Sequence, residues 1–178
     1  MSKVFIVLGM HRSATSLVAK ALNEIIPMGQ ELIIAQNETQ PKGYYESKAF
    51  HALNGDILEA AGGDRKGLVT IPSPAAVRAC SLLFEDRIRS VVAQESRTHH
   101  IWGWKDPRTV LTIPIIHPHL PVDVHFVCIF RNVNQVVESL SARDRLYGIP
   151  ERSLNHLAVA MEYNRRLLDY MSEYVGLS

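Results

Sequence analysis

Short apolar runs and helical apolar stripes alternate along the chain. Val4-Phe5-Ile6-Val7-Leu8 is continuous and rich in β-branched residues, which predicts a strand buried on both faces of a parallel sheet. Gly9 ends it. The pairs Leu17-Val18, Ala21-Leu22 and Ile25-Ile26 then recur every four residues, one face of a helix. Residues 27–40 keep neither period, and Gly29, Pro41 and Gly43 punctuate an irregular stretch. Helical spacing returns from Phe50 to Ala61, through Leu53, Ile57 and Leu58, and stops at Gly62-Gly63. After a loop over Gly62–Ser73, Pro74 opens one continuous helix through Val77, Leu82-Leu83, Ile88 and Val91-Val92. Ile101–Trp104 and Val122–Phe130 read as two more strands. Asp106-Pro107 is an N-cap with proline at the first helical position. Val136-Val137 with Leu140 marks a helix, and Leu154–Val175 a last one that packs on the sheet. Strands alternating with helices predict an α/β fold, a three-layer sandwich around a central parallel sheet.

Composition narrows the class. The 178 residues suit a single domain, 1–178, with 47% hydrophobic and 21% charged residues. A net charge of +1 implies no general polyanion-binding surface, so no nucleic-acid partner is expected and any anion site must be local. No run approaches the ~20 apolar residues of a membrane span. Val4–Leu8 is too short for a signal peptide, and His11 and Arg12 interrupt it, so the expectation is a cytoplasmic protein with no membrane partner. Cys80 and Cys128 read as reduced thiols.

The candidate chemistry gathers where strands end. After Gly9 come Met10-His11-Arg12-Ser13-Ala14-Thr15-Ser16, leading straight into a helix. Loop amides, hydroxyls and the helix dipole would face an anion, and Arg12 adds a positive charge. The lysine of a GxxxxGK[ST] nucleotide loop is missing. Lys105 and Arg108 follow the second strand, and Arg131 follows the third. Ser139 lies eight residues beyond Arg131, about two helical turns in, on a face that can look back at the strand end. Each group alone has a plain alternative as a solvated cation or helical serine. Basic groups at three strand ends, where an open parallel sheet binds ligands, point to a ligand with several anionic groups. Glu31 and Glu46 are acids in the irregular stretch, each either a proton acceptor or a solvated loop residue. His99 and His100 lack partners at metal-ligand spacing.

The loop Arg12-Ser13-Ala14-Thr15-Ser16 resembles the 5′-phosphosulfate loop of the sulfotransferases, with Ala14 where the family has glycine. If that position needs φ > 0, alanine costs roughly 1 kcal/mol. Pro41-Lys42-Gly43-Tyr44-Tyr45-Glu46 resembles a segment of bacterial members, with Gln40 in place of asparagine. Gly29-Gln30-Glu31 is similar to the Gly-Glu-Glu segment of tyrosine-protein sulfotransferases, and Lys105-Asp106-Pro107 to their Lys-Asp-Pro triplet. Phe130-Arg131-Asn132 with Ser139-Leu140 matches the family's 3′-phosphate segment. The likeness covers about the first 145 residues, and Tyr163-Asn164-Arg165 extends it loosely. The chain stops before the further strand and helix of most such proteins, as a short member or a fragment would.

The resemblance implies a P-loop NTPase-like sulfotransferase fold and the donor 3′-phosphoadenosine 5′-phosphosulfate, bound by His11, Arg12, Ser13, Ala14, Thr15, Ser16, Arg131 and Ser139. Arg12 and Lys105 would hold the transferring sulfuryl group. Glu46 or Glu31 would take the acceptor's proton, with His11 and His51 next in line. No metal is implied, and the acceptor would be a hydroxyl or amine on a small molecule, carbohydrate or peptide. Two rivals are a P-loop-type nucleotide or small-molecule kinase and a non-catalytic nucleotide-binding protein.

Overall fold

The computed structural model describes residues 2–33, 43–150, 152–174 and 176. In chain order its elements are β1 (Lys3–Gly9), α1 (Thr15–Asn23), β2 (Leu32–Ile33), β3 (Glu46–Ser47) and α2 (Lys48–Ala60). Next come α3 (Pro74–Ala79), α4 (Ser81–Thr98), β4 (Ile101–Lys105) and α5 (Thr109–Ile116). A 3₁₀ turn (His117–His119), β5 (Asp123–Ile129), α6 (Val133–Leu146) and α7 (Ser153–Tyr174) follow. Among the described residues β1 is the middle strand of a parallel sheet ordered β4-β1-β5, flanked by helices. Gln40, Pro41 and Lys42 of the motif before Glu46 lie outside the described residues, as does Val175.

The run Val4–Leu8 is buried on both sides, as its lack of alternation predicts. Val4, Ile6 and Leu8 enter the main core with Phe50, Trp102, Trp104 and Ile113. Val7 turns to the opposite face, against Ala19 of α1 and Met28. This is the period of two expected of a strand. Register then places the chemistry. Val7 lies opposite Lys105 on one side and Val127 on the other, so all three strands release their chains at the same end.

A buried polar seam fixes α2 and α5 beneath that end. The Trp104 indole and the Asn54 amide both donate to Thr109 Oγ1, at 3.1 and 3.0 Å. The Thr112 hydroxyl donates to Asn54 Oδ1 at 2.6 Å. Phe50 stacks on Trp104 with ring centroids 3.8 Å apart. Lys105, the last residue of β4, and Asp106 and Arg108 after it lie in the chain between Trp104 and Thr109, two members of this seam.

Several local expectations are corrected. The helix after Pro74 breaks at Cys80, whose ψ of −4 both ends α3 and begins α4. Its buried stripe runs Phe84, Ile88, Val92 and Glu95, leaving Leu82 and Leu83 exposed. In α1 the buried side is Thr15, Ser16 and Ala19, while Leu17 is 54% exposed. Small residues therefore let that helix approach the sheet closely. Asp106 does not cap α5, which begins at Thr109; its carboxylate instead accepts from the Arg108 amide at 2.9 Å within a preceding turn. Cys80 and Cys128 are free thiols. Among the described residues no helix is long and apolar enough to cross a membrane.

Candidate functional site

The loop after β1 is shaped by close approach. A Cβ at Gly9 would meet Ile129 O at 2.7 Å and Thr15 Cγ2 at 2.9 Å, so only glycine lets β1 end this near β5 and α1. Arg12 and Ala14 both adopt left-handed backbone, each with φ of 66°. For a residue with a Cβ that conformation costs roughly 1–2 kcal/mol. Ala14 therefore stands at a backbone position suited to glycine. It precedes α1, whose first amides have no intrahelical acceptor and carry the positive end of the dipole.

Two long-range bonds close this loop against the third strand end. Arg12 Nε donates to Ser139 Oγ at 2.9 Å, and Arg131 Nη1 donates to the carbonyl of Arg12 at 2.8 Å. Arg12, Ala14, Thr15, Ser16, Arg131 and Ser139 line one cleft of about 150 Å³. Burial, with the positive charges of Arg143 and Arg131, makes the Arg12 guanidinium less basic than an ordinary arginine. An excess of positive charge at a helix N-terminus favours an anion. Ser13 is buried, and neither it nor His11 lines this cleft.

A second cluster surrounds the end of β4. The Lys105 side chain is 1% exposed and donates from Nζ to Glu46 Oε1 at 2.8 Å. The other Glu46 oxygen, Oε2, lies 3.0 Å from His51 Nδ1, which stands 3.7 Å from Asp106 Oδ2. Arg108 grips Asp106 with Nε and Nη2 at 3.0 and 2.6 Å and also donates to the carbonyls of Arg65 and His51. Burial alone would raise the Glu46 carboxyl. The hydrogen bond from His51 and the charge and hydrogen bond of Lys105 outweigh it, holding the group at about 2. Tyr45, in left-handed backbone at φ 52°, turns the chain just before Glu46. The irregular stretch thus contains a short antiparallel pair, β2 with β3, that carries this acid.

The other candidates separate from this cluster. Glu31 is exposed and paired with Lys48 Nζ at 3.0 Å, so of the two acids only Glu46 meets Lys105. His11 sits edge-on to Tyr163, its Nε2 enclosed and without a hydrogen-bond partner. Burial pulls it down to about 4, against the opposing pull of Glu46 and Asp106. The loop Gly62–Ser73 is stapled: the Asp64 carboxylate accepts from the amides of Lys66, Leu68, Val69 and Thr70. Tyr163 and Asn155 bond to its carbonyls from α7.

Glu46, His51 and Asp106 offer three ligand atoms within 4.8 Å of one another, the geometry a cation would need. Lys105 and Arg108 already neutralise both carboxylates. A divalent ion would add two uncompensated positive charges among buried groups, so the donor set does not fit a metal. Sequence reasoning ranked His51 behind the acids. Its place one turn into the helix that Glu46 leads into is the signal that pairs the two.

Compared with models of known protein families, with curated proteins and with solved structures, the chain matches none.

Proposed function

We propose that the protein transfers a sulfuryl group from 3′-phosphoadenosine 5′-phosphosulfate to a hydroxyl or amine, within a P-loop NTPase-like sulfotransferase fold. The observation that carries the reading is the closure of the Arg12 loop by Arg131 and Ser139 at the carboxyl end of a parallel sheet. That closure joins the residues whose resemblance to the family's two phosphate-binding segments is strongest. Arg12, the amides of Ala14, Thr15 and Ser16, and the hydroxyls of Thr15 and Ser16 would hold the 5′ anion. Arg131 and Ser139 would hold the 3′-phosphate.

Chemistry of this kind is mainly positioning and charge stabilisation, as in phosphoryl transfer. As the bond from sulfur to the bridging phosphate oxygen lengthens, negative charge collects on that oxygen. Lys105 is the ammonium assigned to it. A buried cation held in one place by Glu46 needs little reorganisation at that moment. A carboxyl held at about 2 is a feeble base at neutral pH, so Glu46 serves better as the anchor of Lys105 than as the proton acceptor.

A kinase reading would need magnesium to bridge its nucleotide phosphates, and the acids near Lys105 are already engaged by cations. The test is an acceptor screen with radiolabelled phosphosulfate donor in the presence of a chelator. Label transfer is the expected result. Magnesium-dependent transfer from ATP instead would overturn the proposal.

A further inference from the structure

We propose that His51 Nε2 is the atom that takes the acceptor's proton, with Glu46 as the group that orients the ring and Lys105 together. This rests on the transfer reading above and deepens it. Three observations carry it. Both Glu46 oxygens are occupied, Oε1 by Lys105 at 2.8 Å and Oε2 by His51 Nδ1 at 3.0 Å. A carboxylate is an acceptor only, so the proton of the Glu46–His51 bond belongs to Nδ1 and neutral His51 carries its lone pair on Nε2. The His51 side chain is 45% exposed, whereas Glu46 is 9% and Lys105 is 1% exposed. His51 is therefore the member of the trio that an acceptor can reach.

The arrangement also stabilises the product of the step. The acceptor oxygen bonds to sulfur, the bond from sulfur to the bridging phosphate oxygen breaks, and that oxygen keeps the electron pair. The acceptor proton moves to His51 Nε2 and later to solvent. The imidazolium so formed faces Glu46 Oε2 and Asp106 Oδ2 at 3.0 and 3.7 Å. Among charged groups nearby, Lys105 is held off by Glu46, and Arg108 binds the His51 carbonyl through Nη2 while gripping Asp106. One carboxylate thus spans the cation assigned to the leaving oxygen and the base assigned to the attacking one. Glu46 is a positioning residue in this account, and His51 the catalytic residue.

The test has a structural arm and a kinetic arm. In protein with ¹⁵N-labelled histidine, ring nitrogen shifts report which nitrogen carries the proton. The expectation is that neutral His51 is protonated on Nδ1 and that Glu46→Gln weakens that preference. A neutral ring protonated on Nε2 would overturn the inference whatever the enzyme does. In the kinetic arm, cleavage of phosphosulfate donor is followed with water or a screened acceptor. His51→Gln should lower kcat by about 10²-fold, leave affinity for adenosine 3′,5′-bisphosphate unchanged, and leave a residual rate that rises with added imidazole. Unchanged kcat in His51→Gln would sink this inference alone. A wild type that neither binds that nucleotide nor cleaves the donor would remove the transfer reading and this inference with it.

Discussion

Lys105 Nζ and Glu46 Oε1 meet at 2.8 Å with both side chains almost wholly out of water, although they are 59 residues apart in the chain. Removing Lys105 leaves the Glu46 carboxylate buried with its ionic partner gone and only the His51 contact remaining, and breaking a buried pair costs about 3–5 kcal/mol. Lys105→Ala is therefore expected to destabilise the fold by that order, measured by urea unfolding. The double substitution Lys105→Met with Glu46→Gln removes both charges, so it should recover most of the loss. A double variant no more stable than Lys105→Ala would show that the pair is not the source of the effect.

Acid stability follows from His11 and Glu46. Burial holds His11 at about 4, below the ordinary 6.5 of a histidine. Between those values the unfolded chain binds more protons, so stability falls as pH drops from about 6.5 to 4. Glu46 is held at about 2, below the ordinary 4.5, so its contribution is present above pH 4.5 and is lost as pH falls towards 2. Unfolding free energies across pH 7 to 2 should show both segments. His11→Asn should flatten the upper one and Glu46→Gln the lower one. Parallel curves for wild type and variants would contradict the assignment.

Ala14 sits at φ 66° directly before α1. Ala14→Gly is expected to stabilise the protein by about 0.5–1 kcal/mol, because glycine takes this backbone without steric cost. It should preserve or tighten nucleotide binding. Thermal unfolding with and without adenosine 3′,5′-bisphosphate checks both statements, and a destabilised or weakly binding variant would show that the methyl group is needed.

Much of this arrangement was legible in the chain because single elements encode it. Val4–Leu8 reads as a fully buried strand since neither of its faces meets water. The eight-residue interval from Arg131 to Ser139 does predict a serine facing the strand end, where it accepts from Arg12. What stayed hidden depends on partners remote in sequence or on segments too short for a period. The two-residue strands β2 and β3 show no alternation to detect. The choice between Glu31 and Glu46 turns on the left-handed Tyr45 and on burial beside Lys105, neither visible as spacing. Leu82 and Leu83 imitate a buried stripe while facing outward, which is how α3 and α4 read as one helix.

If the proposed transfer holds, Arg12 serves binding and turnover together, since the same charge would face the ligand before and during transfer. Arg12→Ala should weaken nucleotide affinity by at least about tenfold, the value of one charge-assisted hydrogen bond. Ser139→Ala, which removes the acceptor of the 2.9 Å bond from Arg12 Nε, should weaken it less. Calorimetric affinities unchanged in both variants would remove this cleft as the binding site.

The proposed transfer requires a site for a nucleotide with phosphates at both the 3′ and 5′ positions. Isothermal titration of wild type with adenosine 3′,5′-bisphosphate and with AMP tests it most directly. Arg131, whose Nε and Nη1 already bond Gln135 and the Arg12 carbonyl, would turn its remaining donors to a 3′-phosphate, and the Ser139 hydroxyl would add another, each bond to a charged group being worth roughly 1.5–3 kcal/mol. The bisphosphate should therefore bind at least about tenfold more tightly than AMP, and Arg131→Ala should erase most of that preference. Equal affinity for the two nucleotides in the wild type would contradict the 3′-phosphate site and the transfer function built on it.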